Sequence, residues 1–224
     1  MGTYFESAAA QQKRKALSGL GRFCQALLSE AGHCILSSVR NIPLAFSCLA
    51  FSLVLMAYKD GPLPNLTGGF GERSCRSCHL DNPLNATGGT LSITGVPRAC
   101  APGKTYSIAV SLEREGMKRA GFEMSARFGT GEHKAKQAGS WRSLDQRAQV
   151  VASQTDPSVQ FVQHTTAGTL APSRGANKWS VEWTAPDELA GPVQFNLAAN
   201  ASNDDASPLG DFIYLKQLSC TPAK

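Results

Sequence analysis

The sequence predicts an all-β body, an antiparallel β-sandwich. Three observations predict it. From residue 90 onward, apolar and polar residues alternate with period two in short runs, the signature of half-buried strands. Gly and Pro turn signals separate those runs. After residue 60, no stretch has the length and 3.6-residue periodicity of a long helix.

Residues 1–40 read as a basic extension. Lys13, Arg14, Lys15, Arg22 and Arg40 outnumber Glu6 and Glu30, so this segment holds three of the five net positive charges of the 224-residue chain. Leu17, Leu20, Phe23, Leu27 and Leu28 form a weak helical stripe. The expectation for residues 1–38 is a short cytoplasmic or membrane-surface extension, or a stretch that is not translated. Residues 41–57 are uncharged and apolar. A spanning helix needs about 20 such residues, with about 17 the lower limit, and a signal-peptide core needs fewer. A membrane anchor and a signal peptide cut after Ala57 both fit. Either one places the body outside the cytoplasm, because Arg40 precedes the apolar run and a long polar body follows it. The expected location is therefore the periplasm or cell envelope. Beyond residue 40 the charge is nearly balanced, and no basic patch is interleaved with aromatics, which excludes nucleic acid as an expected partner.

Residues 58–89 read as loop. Asp60-Gly61-Pro62-Leu63-Pro64-Asn65 and Gly68-Gly69-Phe70-Gly71 carry too much Gly and Pro for regular structure, and Asp81-Asn82-Pro83 and Gly88-Gly89 punctuate again. Within this loop lies Cys75-Arg76-Ser77-Cys78-His79, which has the C-x-x-C-H spacing of c-type haem attachment. Two thiols three positions apart can add to the two vinyl groups on one edge of the porphyrin. The following His is then held beneath the iron as the proximal ligand. Two other readings of the same residues stand beside this one. Cys75 and Cys78 could close a redox disulfide, for which a βαβ context would be wanted. They could join His79 in a zinc site, for which a fourth ligand would be wanted.

Residues 90–224 supply the strands. The alternating runs are Thr90–Gly95, Thr105–Leu112, Phe122–Phe128, Gln149–Ala152, Val159–Val162, Trp179–Trp183, Val193–Ala198 and Asp211–Leu218. In the third run, Phe122, Met124, Ala126 and Phe128 share one face because strand side chains alternate. Pro102-Gly103, Gly129-Thr130-Gly131, Pro172, Pro186, Gly191-Pro192 and Pro208-Leu209-Gly210 supply the turns. About eight short strands with regular turns argue a sandwich. Of seven cysteines, Cys24, Cys34 and Cys48 precede residue 57, and Cys100 and Cys220 remain once the haem candidates are set aside. In an exported body those two are expected to form a disulfide, since early and final strands of a sandwich lie close.

The order of short motifs is similar to that of a known family. Gly68-Gly69-Phe70-Gly71-Glu72 precedes the C-x-x-C-H. Gly88-Gly89-Thr90-Leu91 and Pro102-Gly103-Lys104-Thr105-Tyr106 open successive strands. Gly121-Phe122-Glu123, Gln163-His164-Thr165, Trp183-Thr184-Ala185-Pro186, Gly191-Pro192-Val193, Ala198-Ala199-Asn200-Ala201 and Gly210-Asp211-Phe212-Ile213-Tyr214 follow. From about residue 61 to residue 219 the chain resembles the bacterial Reeler-like domain, also called choice-of-anchor V. The resemblance implies an immunoglobulin-like sandwich at the cell envelope. Many bacterial members carry a C-x-x-C-H before the sandwich, and animal relatives do not. Cys100 departs from the pattern, since an aromatic is more common there.

The expected function is one-electron transfer by an exported, covalently attached monohaem c protein, with a redox partner protein outside the chain. Its alternatives are a haem-based sensor or ligand binder, and a haem-free adhesion or scaffold module with a Cys75–Cys78 disulfide. No Ser/His/Asp triad, phosphate loop or metalloprotease motif occurs, so no enzyme activity is expected. For the sixth iron position the candidates are His164, favoured because the resemblance places a His-Thr pair there, and Met117 as its alternative. The same His in haem-free relatives allows a purely structural role. Met124 reads as core, and His133 as a solvated loop residue. Asn200 to Asp205 and Asp211 offer oxygen ligands without EF-hand spacing, and read as solvated turn acids.

Overall fold

The computed structural model describes residues 60–223. The basic extension 1–40 and the apolar segment 41–57 lie outside the described residues. Among the described residues, no helix is long and apolar enough to cross a membrane. Within the described residues ten strands follow one another: β1 (Gly89–Thr94), β2 (Ala99–Cys100), β3 (Thr105–Arg114), β4 (Arg119–Phe128), β5 (Ser140–Ser143), β6 (Ala148–Ala152), β7 (Gln160–His164), β8 (Ala176–Thr184), β9 (Val193–Ser202) and β10 (Phe212–Pro222). They form a four-stranded sheet, β1-β3-β8-β5, and a six-stranded sheet, β2-β10-β9-β4-β7-β6. All pairings are antiparallel except β2 with β10. The all-β, two-sheet architecture is the expected one. β2 and β5 are additions, each too short to register as a periodic run.

The inner faces close on one core. Ile108, Val110 and Leu112 of β3 and Trp179, Val181 and Trp183 of β8 meet Phe122, Met124 and Ala126 of β4 and Phe195, Leu197 and Ala199 of β9, all buried. Each buried Val, Leu, Ile, Phe or Met contributes about 1.5–3 kcal/mol by leaving water. Aromatic contacts knit the two sheets. Phe122 and Trp179 rings lie 4.8 Å apart, and Trp183 and Phe195 meet edge to face at 4.9 Å. The indole N–H groups of Trp179 and Trp183 donate to the Gly168 and Ala138 carbonyls, both at 2.9 Å, so neither ring leaves a buried donor unpaired. Cys100 and Cys220 are joined in a disulfide with Cα atoms 5.8 Å apart, an ordinary span. It ties β2 to the end of β10.

The other face of the six-stranded sheet is covered too. In β4 the outward residues Gly121, Glu123, Ser125 and Arg127 are as buried as the inward ones. The cover is the chain from residue 60 to 88, whose only helical element is a 3₁₀ turn at Cys75–Ser77. This segment is sewn down by polar contacts. Asn65 and Leu66 N–H groups donate to Glu123 at 2.9 and 3.0 Å. Glu72 pairs with Arg127. Gly69 lies directly over the Asn196 side chain, where a Cβ would fall 2.3 Å from Cγ, so only glycine fits there. Further along, Asn82 Nδ2 donates to the Asp211 carbonyl at 2.9 Å. Leu215 N–H donates to Asn85 Oδ1 at 2.7 Å.

Candidate functional site

The site begins with the 3₁₀ turn. Ser74 Oγ accepts from the Arg76 N–H at 3.3 Å. The N–H groups of Cys78 and His79 both donate to the Cys75 carbonyl at 3.2 Å. One turn of chain therefore presents Cys75, Cys78 and His79 as helical neighbours. Both thiols are free, with Cys75 half-buried and Cys78 exposed. Burial, with the nearby Glu123 carboxylate adding to it, pushes the Cys75 thiol up to about 12. Such a thiol stays protonated near neutral pH and is a poor attacking group, unlike the low-pKa cysteine of a redox disulfide. Among the described residues, no three His, Cys, Asp or Glu side chains are gathered as a metal cluster.

His79 is held on its Nδ1 side. Nδ1 lies 2.8 Å from Asp211 Oδ2, with the His side chain 26% exposed and the carboxylate 1% exposed. The same carboxylate accepts from Asn200 Nδ2 and from the Asn203 N–H, each at 3.1 Å. Burial pushes the Asp211 carboxyl up, but the hydrogen bonds from His79, Asn200 and Asn203 outweigh it and hold the group below the usual carboxylate value. The residue expected to be a solvated turn acid is thus a buried anion. Asp204 and Asp205 in the same loop are exposed, Asp204 pairing with Arg119 at 2.7 Å. With its Nδ1 proton engaged by Asp211, His79 carries its free lone pair on Nε2. Asn200 Nδ2 lies within hydrogen-bond distance of the ring, 3.3 Å from Nε2 and 3.4 Å from Nδ1, so with the proton on Nδ1 it can donate to Nε2. Asn200 Oδ1 is buried and has no partner among the described residues.

His164 ends β7. Its Nδ1 is 3.0 Å from the Phe122 amide nitrogen and 3.1 Å from the Phe122 carbonyl oxygen. Each neutral tautomer therefore has a partner. With the proton on Nε2, the ring accepts from the Phe122 N–H. With the proton on Nδ1, it donates to the Phe122 carbonyl and frees Nε2 for a ligand. Burial lowers the His164 pKa and keeps the ring neutral, opposed by the Phe122 hydrogen bond and the Asp60 charge. The ring lies over Gly121, where a Cβ would fall 2.5 Å from Cε1 and 2.8 Å from Nδ1. A glycine inside a strand permits this close approach.

The register unites these parts. Gly121 of β4 pairs with Asn200 of β9, which pairs with Ile213 of β10. Directly opposed residues share a face. Asn200, beside His79, and Gly121, beneath His164, therefore share the outer face of the six-stranded sheet. The His79 ring contacts Asn200 on that face, and the His164 ring contacts the Gly121 position on the neighbouring strand, although the two histidines are 85 positions apart in the sequence. Met117, the other candidate for the sixth position, is 2% exposed and packs in the core at the β3–β4 turn. Met124 is fully buried there as well. His133 is exposed, with its ring 5.9 Å from Phe128. Gly121 was not legible as a site residue, and in the sequence Asn200 and Asp211 offer oxygen ligands and read as solvated turn residues, not as partners of His79. Their only signal was position within motifs that also serve the fold.

The sequence model of the Reeler domain family matches residues 74–216. No curated protein matches the chain. Among solved structures, the reeler domain of human F-spondin (fragment 1) is 18% identical with a TM-score of 0.43, over 63% of this chain and 93% of that one. The Reelin-N domain of F-spondin is also 18% identical, with a TM-score of 0.42, over 67% of this chain and 96% of that one. A cohesin module from a Clostridium perfringens family 33 glycoside hydrolase is 12% identical with a TM-score of 0.42, over 61% of this chain and 98% of that one.

Proposed function

This chain belongs to the Reeler domain family, and we propose that it is an exported c-type monohaem protein that carries single electrons between partner proteins at the cell envelope. Its sandwich is of the immunoglobulin-like kind, and the finer group is the bacterial choice-of-anchor V set that bears a C-x-x-C-H. One observation carries the reading. His79, on the turn that bears Cys75 and Cys78, contacts Asn200, the His164 ring contacts the Gly121 position, and Gly121 and Asn200 are register partners on adjacent strands.

The residues present fit a haem. Cys75 and Cys78 are unpaired thiols on one turn, and each can add its S–H across one vinyl group with nothing lost. His79 would hold the iron through Nε2, displacing the Asn200 amide that lies 3.3 Å from it, and His164 has a tautomer that frees its own Nε2. When bound, the haem supplies a one-electron couple between ferric and ferrous iron. The chain's own residues would attach the group through Cys75 and Cys78 and hold it through His79 and His164. Met117 would have to leave the core to serve, so His164 is the sixth ligand in this reading. The chain is a carrier and not an enzyme. Export is supported by the Arg40-led apolar run at 41–57 and by the Cys100–Cys220 disulfide, which belongs to an oxidising compartment.

The test is a haem stain on a denaturing gel, with an absorption spectrum, for the full chain made in cells with cytochrome c maturation. The expected result is a stained band that disappears in Cys75→Ala/Cys78→Ala. An unstained band whose non-reducing peptide map joins Cys75 to Cys78 would overturn the reading in favour of a haem-free adhesion or scaffold module. Carbon monoxide binding to the reduced wild-type protein would instead identify a sensor or ligand binder with an open sixth position.

A further inference from the structure

We propose that Asp211 is a positioning residue for the iron. By its hydrogen bond to His79 it fixes the ring and lowers the reduction potential of the haem. The inference rests on the haem reading above. Three features of the structure carry it: the charge of Asp211, its burial, and its attachment to both the site and the fold.

The carboxylate is 1% exposed and accepts from three donors, His79 Nδ1, Asn200 Nδ2 and the Asn203 N–H. Those donors come from the attachment turn, from β9 and from the β9–β10 loop. Its backbone carbonyl takes a fourth bond, from Asn82. The His79 loop is thus clamped to Asp211 through side chain and main chain alike. This arrangement limits rotation of the imidazole about its own axis, which a solvated carboxylate would not do. It also places a full negative charge 2.8 Å from the nitrogen opposite the iron-binding one. A backbone carbonyl in that position would offer only a dipole.

The electronic consequence follows from the partner's charge. A carboxylate on the Nδ1–H draws the proton toward itself and leaves the ring richer in electrons. Nε2 then becomes a stronger donor. A stronger donor favours ferric over ferrous iron, because the oxidised metal carries the greater charge. With the carboxylate 1% exposed, the effect is screened little.

The experiment is a spectroelectrochemical titration of the full haem-bearing chain, comparing wild type with Asp211→Asn and Asp211→Glu. Asn keeps an oxygen acceptor for the Nδ1–H and removes the charge. The expected result is at least a tenfold shift of the one-electron equilibrium toward ferrous iron in Asp211→Asn, a rise of about 59 mV. Asp211→Glu, which keeps the charge, should show no more than half of that rise. If Asp211→Asn loses stability while its potential stays within a third of that value, the residue serves only the fold and the inference is overturned, with the haem reading intact. A second measurement needs no variant. In ferrous wild type the His79 Nδ1–H proton should resonate far downfield and exchange slowly with water. Exchange as fast as that of free imidazole overturns the inference even where the variants do not fold. Failure of wild type to take up haem at all sinks the haem reading itself, and this inference with it.

Discussion

Glu123 gives the chain an unusual dependence of stability on pH. Its carboxyl sits under the covering segment with 0% exposure. Oε1 accepts from Asn65 and Leu66, whereas Oε2 has no partner among the described residues. Burial pushes the pKa from 4.5 up to about 8, although the two backbone hydrogen bonds oppose the rise. The folded protein therefore holds this proton over a range in which the unfolded chain has released it. Below about pH 4.5 both states are protonated and nothing is lost. From there to about pH 8 the folded state binds more protons than the unfolded one, so stability falls as pH rises. Every tenfold difference in proton affinity between the two states is worth roughly 1.36 kcal/mol, which makes the whole fall roughly 5 kcal/mol as an upper bound. Glu123→Gln keeps the oxygen acceptor and cannot ionise. The expected result is that the two proteins match at pH 5, and that the variant is more stable by a few kcal/mol at pH 8.5. Urea unfolding followed by tryptophan fluorescence, at half-unit steps of pH with the same haem state in both proteins, measures this directly. His164 acts in the opposite sense. Its lowered pKa means stability rises with pH until the unfolded imidazole has lost its proton. That contribution is common to both proteins and cancels in the difference. A difference curve that is flat from pH 5 to 8.5 refutes the reasoning.

Three further outcomes are expected. Removing the Cys100–Cys220 disulfide by double substitution to Ser opens a loop of sequence separation 120 and should cost roughly 4–5 kcal/mol on the chain-entropy account; a loss below about 1 kcal/mol in urea unfolding speaks against that account here. Gly121→Ala drives a Cβ into the His164 ring, and overpacking of this kind should cost about 1–3 kcal/mol, read as a lower urea midpoint with unchanged slope. In haem-bearing protein, His164→Ala should convert a low-spin spectrum to high-spin and admit carbon monoxide, whereas Met117→Ala should change only stability. The reverse pattern would assign the sixth position to Met117.

Much of the architecture was written locally. The alternation Phe122, Met124, Ala126, Phe128 and the Trp179–Trp183 run name the inward faces, because period-two burial is a property of each strand taken singly. The C-x-x-C-H spacing is equally local: a single 3₁₀ turn brings Cys75, Cys78 and His79 together whatever the rest of the chain does. What stayed hidden depends on register and on cover. Gly121, Glu123, Ser125 and Arg127 look like a solvated face, and their burial exists only because residues 60–88 cross the sheet above them. Asp211 looks like one more turn acid until β10 and β9 set it against His79. The contacts of His164 with Gly121 and of His79 with Asn200 come onto adjacent strands only through the ladder from β7 to β10. Strand identity is decided by neighbours in the chain, and for that reason it is legible in the residues alone. Which charged and polar groups are buried together is decided by residues far apart in sequence, so Asp211 meets His79, and Gly121 meets His164, only when the sheets have closed and the covering segment has settled on them.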